Sequence, residues 1–480
     1  MSSVSAVSLD AGRAATCSRD YLPTKRGPVV AATQQVAPAS RQPASPSGLN
    51  RDTWLLGGGL IAFGAALLWF AYSAASRPGW GLAPVDMGVY RDAGLVVRHV
   101  PPLYHPHLAS PLYDRFLYNG EPFDYPPFAA LPFALMSYLS LRALAELAAV
   151  VDVIAVLGAI WVTFGALGYQ RGAGRVGLTL LTAAAVFYIE PVQRTMYLGQ
   201  VEIVLMALVM WDMCQPDSRR WKGAGVGLAA GIKLLPLLFI PYLLFTRRFR
   251  QAAIAAGAFV ATLMIAFIVL PRDSWQWLAQ RLFLKANVRI DLHWSGNQSL
   301  MGILLRSVGP HVHAQWLAAT VIVIILGTAG AVLLDRAGHR VVAVLMIALT
   351  TLLVSPLSWD DHWVWIVPAV AVLVSYALRA RGAPRWAWLG LAAALTAVFA
   401  AWPDSWLGRS NGLTGILFVP PQHYRPQGGP WPEVGWHGWQ LVVGNAWVLT
   451  GLLAYVTLLL AGLRLFGRVR SRASSTEAAA

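Results

Sequence analysis

The sequence predicts an all-α, polytopic membrane protein, and three observations carry that prediction. Only 12% of its 480 residues are charged, while 57% are hydrophobic; a soluble domain carries about 25% charged residues. Its 21 tryptophans suit a chain that crosses headgroup boundaries many times. Long apolar runs are the third sign. Trp54–Ser76, Ala252–Leu270, Ala314–Leu334 and Trp439–Leu463 contain no charged residue, and the first extends roughly 34 Å at 1.5 Å per residue, enough to cross a bilayer.

The spans follow in order from the apolar pattern. They are expected at 54–76, 126–141, 143–167, 175–190, 198–213, 223–245, 251–271, 315–334, 340–355, 363–378, 385–402 and 440–464. Twelve spans put both termini on one face. The net charge of +15 resides in short clusters between the runs: Arg247 with Arg248 and Arg250, Arg336 with Arg340, Arg379 with Arg381 and Arg385, and Arg464–Arg472. Basic loops mark the cytoplasmic side, so topology, rather than a nucleic-acid partner, accounts for the charge. Three long stretches, 77–125, 272–314 and 403–438, then fall outside. Strict alternation also places Arg171 with Arg175, and Arg219, Arg220 and Lys222, outside. A ten-span alternative removes this conflict if 126–141 and 223–245 dip into the membrane and return. Pro126, Pro127 and Pro132, and the glycine-rich run ahead of Lys233, permit broken helices, which are tolerated where they face protein or a water-filled cavity.

Residues 1–50, rich in Ser, Ala, Pro and Gln, read as a disordered cytoplasmic tail ahead of a membrane domain at 51–467, with a second tail at 468–480. No removable signal peptide is evident before Trp54. Cys17 and Cys214 make no disulfide framework and no zinc pattern. There is no repeat with a period of 20–50 residues and no evident inverted duplication of the transporter kind.

Polar residues concentrate at one interface. The stretch PVDMGVYRDAG, just past the first span, holds Asp86, Tyr90 and Asp92; Asp86 reads either as a helix cap or as a general base at the membrane surface. FDYPPF at 123–128, with Tyr125, sets a turn ahead of an apolar run. Glu190, Gln193, Arg194, Gln200 and Glu202 lie between two apolar segments, as interfacial residues or as the lining of a polar cavity. Lys233 is the only charge in its run; it either snorkels or binds an anion. Asn297-Gln298-Ser299 is formally a glycosylation sequon, a helix start, or a pair of amides suited to sugar hydroxyls. In SPLSWDDHWVW, Asp360, Asp361 and His362 sit between tryptophans; the stretch is an aromatic belt, or His362 is a cation for a phosphate, raised by its acidic neighbours. The pairs His105/His107 and His311/His313 lack the rest of a familiar metal set. No Asp-X-Asp, Walker loop or dinucleotide turn occurs. No metal or cofactor is therefore expected, and an activated donor is expected to arrive on a lipid.

Six motifs occur in register: Asp86-Met87-Gly88-Val89-Tyr90, Phe123-Asp124-Tyr125-Pro126-Pro127, Gly199-Gln200-Val201, Lys233-Leu234-Leu235-Pro236, Asn297-Gln298-Ser299, and the run from Ser355 to Trp363. This order resembles the GT-C glycosyltransferases that use polyprenol-phosphate mannose, more narrowly the α-1,2-mannosyltransferases of actinobacterial phosphatidylinositol mannosides and lipomannan. The likeness spans 54–467. It implies a GT-C catalytic domain at the plasma membrane with its site on the extracytoplasmic face, both termini cytoplasmic, a polyprenyl-phosphate-sugar donor and a glycolipid acceptor. A β-linked donor and an α-linked product imply one inverting displacement without metal. On this resemblance Asp86 is the base and His362 a second catalytic residue. Lys233, Arg289 and His362 hold the donor phosphate. Tyr90, Tyr125, Glu190, Arg194, Gln200, Asn297, Gln298 and Trp359 contact substrate, and Trp402, Trp406, Tyr424, Trp431 and Trp436 are either belt residues or sugar platforms. Two departures bear on substrate contact: Glu202 follows Gly199-Gln200-Val201 where relatives usually carry Asn, and Asp361 precedes His362 where some carry a second His. An arabinofuranosyltransferase using decaprenyl-phosphate arabinose, or a lipid-linked sugar flippase, are the competing expectations.

Overall fold

The longest apolar runs become the longest helices of this computed structural model, which describes residues 51–76, 82, 84–98, 112–281, 292–400 and 436–479. In chain order come α1 (Arg51–Ser76), α2 (Val85–Val97), α3 (Ala130–Met136), α4 (Leu141–Ala166), α5 (Ala173–Val186) and α6 (Glu190–Leu198). They continue as α7 (Glu202–Met213), α8 (Ala224–Ile232), α9 (Phe239–Phe245), α10 (Phe249–Val269), α11 (Pro271–Gln276) and α12 (Leu300–Ser307). The last six are α13 (His313–Arg336), α14 (Arg340–Val354), α15 (Ile366–Arg379), α16 (Ala383–Val398), α17 (Trp439–Gly444) and α18 (Ala446–Ala479). Among the described residues there is no strand; one antiparallel bridge joins Ile189 to Ala400. Cys17, His105, His107, Arg289, Trp402, Trp406, Tyr424, Trp431 and the tail at 1–50 lie outside the described residues.

Twelve spans were expected, and the helices divide that pattern differently. Among the described residues, six helices are long and apolar enough to cross a membrane: α1, α4, α10, α13, α15 with its preceding turn, and α18. The expected span at 198–213 is mostly α7, and α6 bends into it by 118°, so that the two form an elbow. That at 223–245 is interrupted: α8 ends at Lys233, whose backbone is extended, and a 3-10 turn with Pro236 follows before α9. At 126–141 the prolines leave only a 3-10 turn and the seven-residue α3. The reason is local. Proline lacks the donor that a continuing helix needs and clashes with the preceding turn, which hydropathy averaged over a window does not register.

The helices enclose one large apolar core with residues of α4, α5, α7, α14, α15 and α18. α1 lies against α5, where a Cβ on Gly177 would stand 2.3 Å from the Leu55 backbone; small residues let membrane helices approach this closely. A second core forms a cap at one end of the bundle, with Met87 and Tyr90 of α2, Phe123, Phe133 of α3 and Trp277. Arg91 of α2 donates to the Leu139 carbonyl at 2.9 Å, just ahead of α4. α4 therefore runs away from the cap, α5 returns toward Glu190, and α15 leads away from it again. At the far end Asp217 and Asp335 join three loops: Arg248 pairs with both acids, Lys222 lies 3.0 Å from Asp217, and Arg340 also bonds Asp217.

Candidate active site

Asp86 stands in the first turn of α2 and Tyr90 one turn later, so both face one way. Asp92, six residues on, faces elsewhere, where it is buried and interacts with Arg115. The α6–α7 elbow closes on α2 from the side. Gly199 ends α6 in the left-handed region at φ 72°, a conformation glycine adopts without penalty. A Cβ there would lie 2.7 Å from the Cβ of Met87. This close approach delivers Gln200 and Glu202 to the Asp86 face.

Gln200 Oε1 accepts from the hydroxyls of Tyr90 at 2.6 Å and Tyr125 at 2.9 Å, and the two hydroxyls are 2.6 Å apart. The same amide bonds the Asp86 side chain. With its oxygen taken by two donors, the NH₂ group faces the carboxylate. Tyr90 is further held by stacking on Phe133, centroids 4.4 Å apart. Burial pushes both phenols up, so they remain hydroxyl donors. Burial likewise pushes the Asp86 carboxyl up to about 6; Arg194 pulls against that shift, Glu121 adds to it, and Lys233 and the Gln200 hydrogen bond oppose it.

Lys233 reaches the same space from the break after α8. Its ammonium bonds Glu202 and lies 2.8 Å from His362 Nε2, with the Tyr125 ring 5.5 Å away. An ammonium has only donors, so the imidazole nitrogen facing it accepts. This corrects the expected cationic His362: in this arrangement it is a partner of the cation. His362 and Asp361 belong to a 3-10 turn, Asp360–Trp365. The ligand atoms of Glu202, Asp361 and His362 lie within 4.8 Å of one another. Donor chemistry of this kind suits a divalent cation, yet Lys233 already bonds two of the three groups. Arg194 bridges the halves of the site, its Nε 3.7 Å from Asp360 Oδ2.

The sequence model of Glycosyltransferase family 87 matches residues 123–356. A polyprenol-phosphate-mannose-dependent alpha-(1-2)-phosphatidylinositol pentamannoside mannosyltransferase from Mycobacterium tuberculosis (strain CDC 1551 / Oshkosh) is 32% identical over 381 residues, 74% of this chain and 84% of the relative. The chain belongs to glycosyltransferase family 87. A second M. tuberculosis relative (strain ATCC 25618 / H37Rv), a polyprenol-phosphate-mannose-dependent alpha-(1-2)-phosphatidylinositol mannoside mannosyltransferase, is 29% identical over 60% of this chain and 70% of its own length. The pentamannoside enzyme of Mycolicibacterium smegmatis (strain ATCC 700084 / mc(2)155) is 32% identical over 56% of this chain and 66% of its own. No solved structure matches the chain.

This family 87 glycosyltransferase is thus a multi-pass membrane enzyme of the GT-C class. Its fold gathers Asp86, Tyr90, Tyr125, Arg194, Gln200, Lys233 and His362 at one end, though they span nearly 280 positions of sequence. Glu190 is buried at the start of α6, where its backbone N–H donates to the Phe399 carbonyl at 2.7 Å and its charge acts on Arg194. Trp359 remains partly open and packs on Trp294, centroids 5.4 Å apart. Trp294 was missed, since nothing in its loop marks it beyond aromaticity.

Asn297 and Gln298 take a different part from the expected sugar contacts. Both are fully buried. The Asn297 amide donates to the Leu292 and Pro356 carbonyls and accepts from the Ser358 N–H at 3.0 Å. Gln298 donates to the Ser295 and Gly444 carbonyls and accepts from the Val448 N–H. Arg306 completes the knot, donating to Asn445 and to three backbone carbonyls. Every amide function is spent on backbone, so these residues brace the turn that carries Trp359–His362. Trp436 is likewise buried, against Gly444, and offers no open face to a sugar.

Proposed function

We propose that this enzyme transfers mannose from polyprenol-phosphate-mannose to a phosphatidylinositol mannoside through an α-1,2 linkage, with Asp86 as general base. The observation that carries the reading is the Asp86 carboxylate, aimed by Gln200 and raised to about 6, beside the Lys233–His362 pair. A carboxylate poised there is ionised at neutral pH yet basic enough to take a proton. The acceptor hydroxyl attacks C1 of the sugar as its proton passes to Asp86. The C1–oxygen bond to phosphate breaks, and the lipid phosphate leaves with the bonding electrons. One displacement inverts C1.

Lys233 has three N–H donors. Glu202 and His362 engage two, leaving one for a donor phosphate oxygen. Arg194 adds positive charge near the same space, and Arg289, outside the described residues, is the further expected contact. Tyr125 and the Trp359–Trp294 pair face the sugars, while Glu190 is buried behind them with its charge on Arg194. Basic Arg247, Arg248, Arg340 and Arg379 lie toward the end away from Asp86, so the site faces the extracytoplasmic side and both termini the cytoplasm.

Purified enzyme given radiolabelled polyprenol-phosphate mannose and phosphatidylinositol mannosides is expected to form an α-1,2-mannosylated lipid. Label transfer from polyprenol-phosphate arabinose alone would overturn the donor assignment. Gln200→Leu tests how Asp86 is held. Removing a hydrogen bond that favours the carboxylate should move the acid limb of the pH–rate profile upward by roughly one unit. A fall in rate with an unmoved limb would instead give Gln200 a packing role.

A further inference from the structure

The ends of α1, α5 and α15 farthest from Asp86 enclose a cleft of about 420 Å³ that glycosyl transfer does not use. Arg51, Arg175 and Arg379 line it from three helices, and Asp52 is the one acid among the lining residues. The Asp52 carboxylate lies against Gly174 in the first turn of α5, leaving the arginines in excess. Arg175 stacks 3.8 Å over the Trp161 ring and donates to the Tyr169 and Trp161 carbonyls. Its Nε is buried with no hydrogen-bond partner, and Arg171 stands near enough to repel it. Arg379 donates to the Leu167 carbonyl, which keeps its guanidinium at the rim. Both helices whose first turns line the cleft, α1 and α5, also turn their N-termini toward it, an orientation that favours an anion.

We propose that this cleft binds the phosphate of an anionic phospholipid drawn from the leaflet opposite the active site. Leu55, Leu178 and Leu378 line it beside the charges, a combination that suits a headgroup with its chains attached. The outer wall, α1, exposes Trp54, Ile61 and Leu68 and so borders lipid. Arginine pairs with phosphate oxygens through a planar fork, and each basic side chain near a leaflet strengthens anionic-lipid binding.

The test uses full-length enzyme in phosphatidylcholine nanodiscs doped with phosphatidylglycerol. Native mass spectrometry counts the lipids retained, and melting temperature is followed in parallel. Wild type is expected to retain phosphatidylglycerol and to melt higher with it. Arg51→Glu should weaken retention by about tenfold or more while transfer in pure phosphatidylcholine stays normal. If that variant fails to fold, Arg379→Gln is read in its place, with a smaller loss expected. Equal retention by wild type and variant overturns the proposal. So does an equal rise in melting temperature with inorganic phosphate alone, which would make the ligand a free anion.

Discussion

Asp86→Asn should lower mannosyl transfer by roughly 10²–10⁴-fold or more while leaving expression and donor binding intact. The substitution is nearly isosteric. An asparagine oxygen can still accept from Gln200, so the side chain stays in place and only its ability to take a proton is lost. Single-turnover transfer from labelled donor is the measurement, and near-normal turnover would remove Asp86 from the mechanism. The wild-type rate should climb with pH through about 6 as the carboxyl ionises. The same shift has the opposite sign for stability. A carboxyl held above its ordinary value binds its proton more tightly folded than unfolded, so folding loses stability as pH rises from about 4 to about 6. Asp86→Asn escapes that loss and should melt higher than wild type at pH 7.

Lys233→Met is expected to have the second large effect, on both donor affinity and folding. Removing the ammonium leaves Glu202 buried without the cation it bonds; breaking a buried pair in this way costs about 3–5 kcal/mol. The two effects separate in the double variant Lys233→Met/Glu202→Gln. Neutralising the stranded acid should restore much of the melting temperature but not the Michaelis constant for donor. If donor binding returns with stability, Lys233 serves only to neutralise Glu202.

Several parts of this site were legible in the sequence because local rules determine them. Asp86 and Tyr90 are four apart, so any helix there puts them on one face, and Asp92 at six falls on another. Lys233 is a lone charge in an apolar run, and the prolines at 126, 127 and 132 with the glycine-rich run ahead of Lys233 permit broken helices. Other parts were not legible. Asn297 and Gln298 carry amides that hydrogen-bond a sugar or a carbonyl equally well. Only their burial against Pro356, Gly444 and Val448 decides between the two. Glu202 was visible as a departure from the family pattern, but its partner, Lys233, lies 31 residues away. His362 looked cationic beside two acids, because its neighbours in sequence are Asp360 and Asp361 and its neighbour in space is Lys233.

Composition, apolar run length and the order of six short motifs determined that this chain is a helical membrane glycosyltransferase. Those signals survive without a fold because bilayer thickness and helical rise act on contiguous residues. Protonation, orientation and partnership were decided by tertiary structure alone. A carboxylate's basicity depends on what excludes water from it and which charges face it. For Asp86 those are Arg194 on α6, Gln200 in the glycine elbow that follows it, and Lys233 at the break after α8.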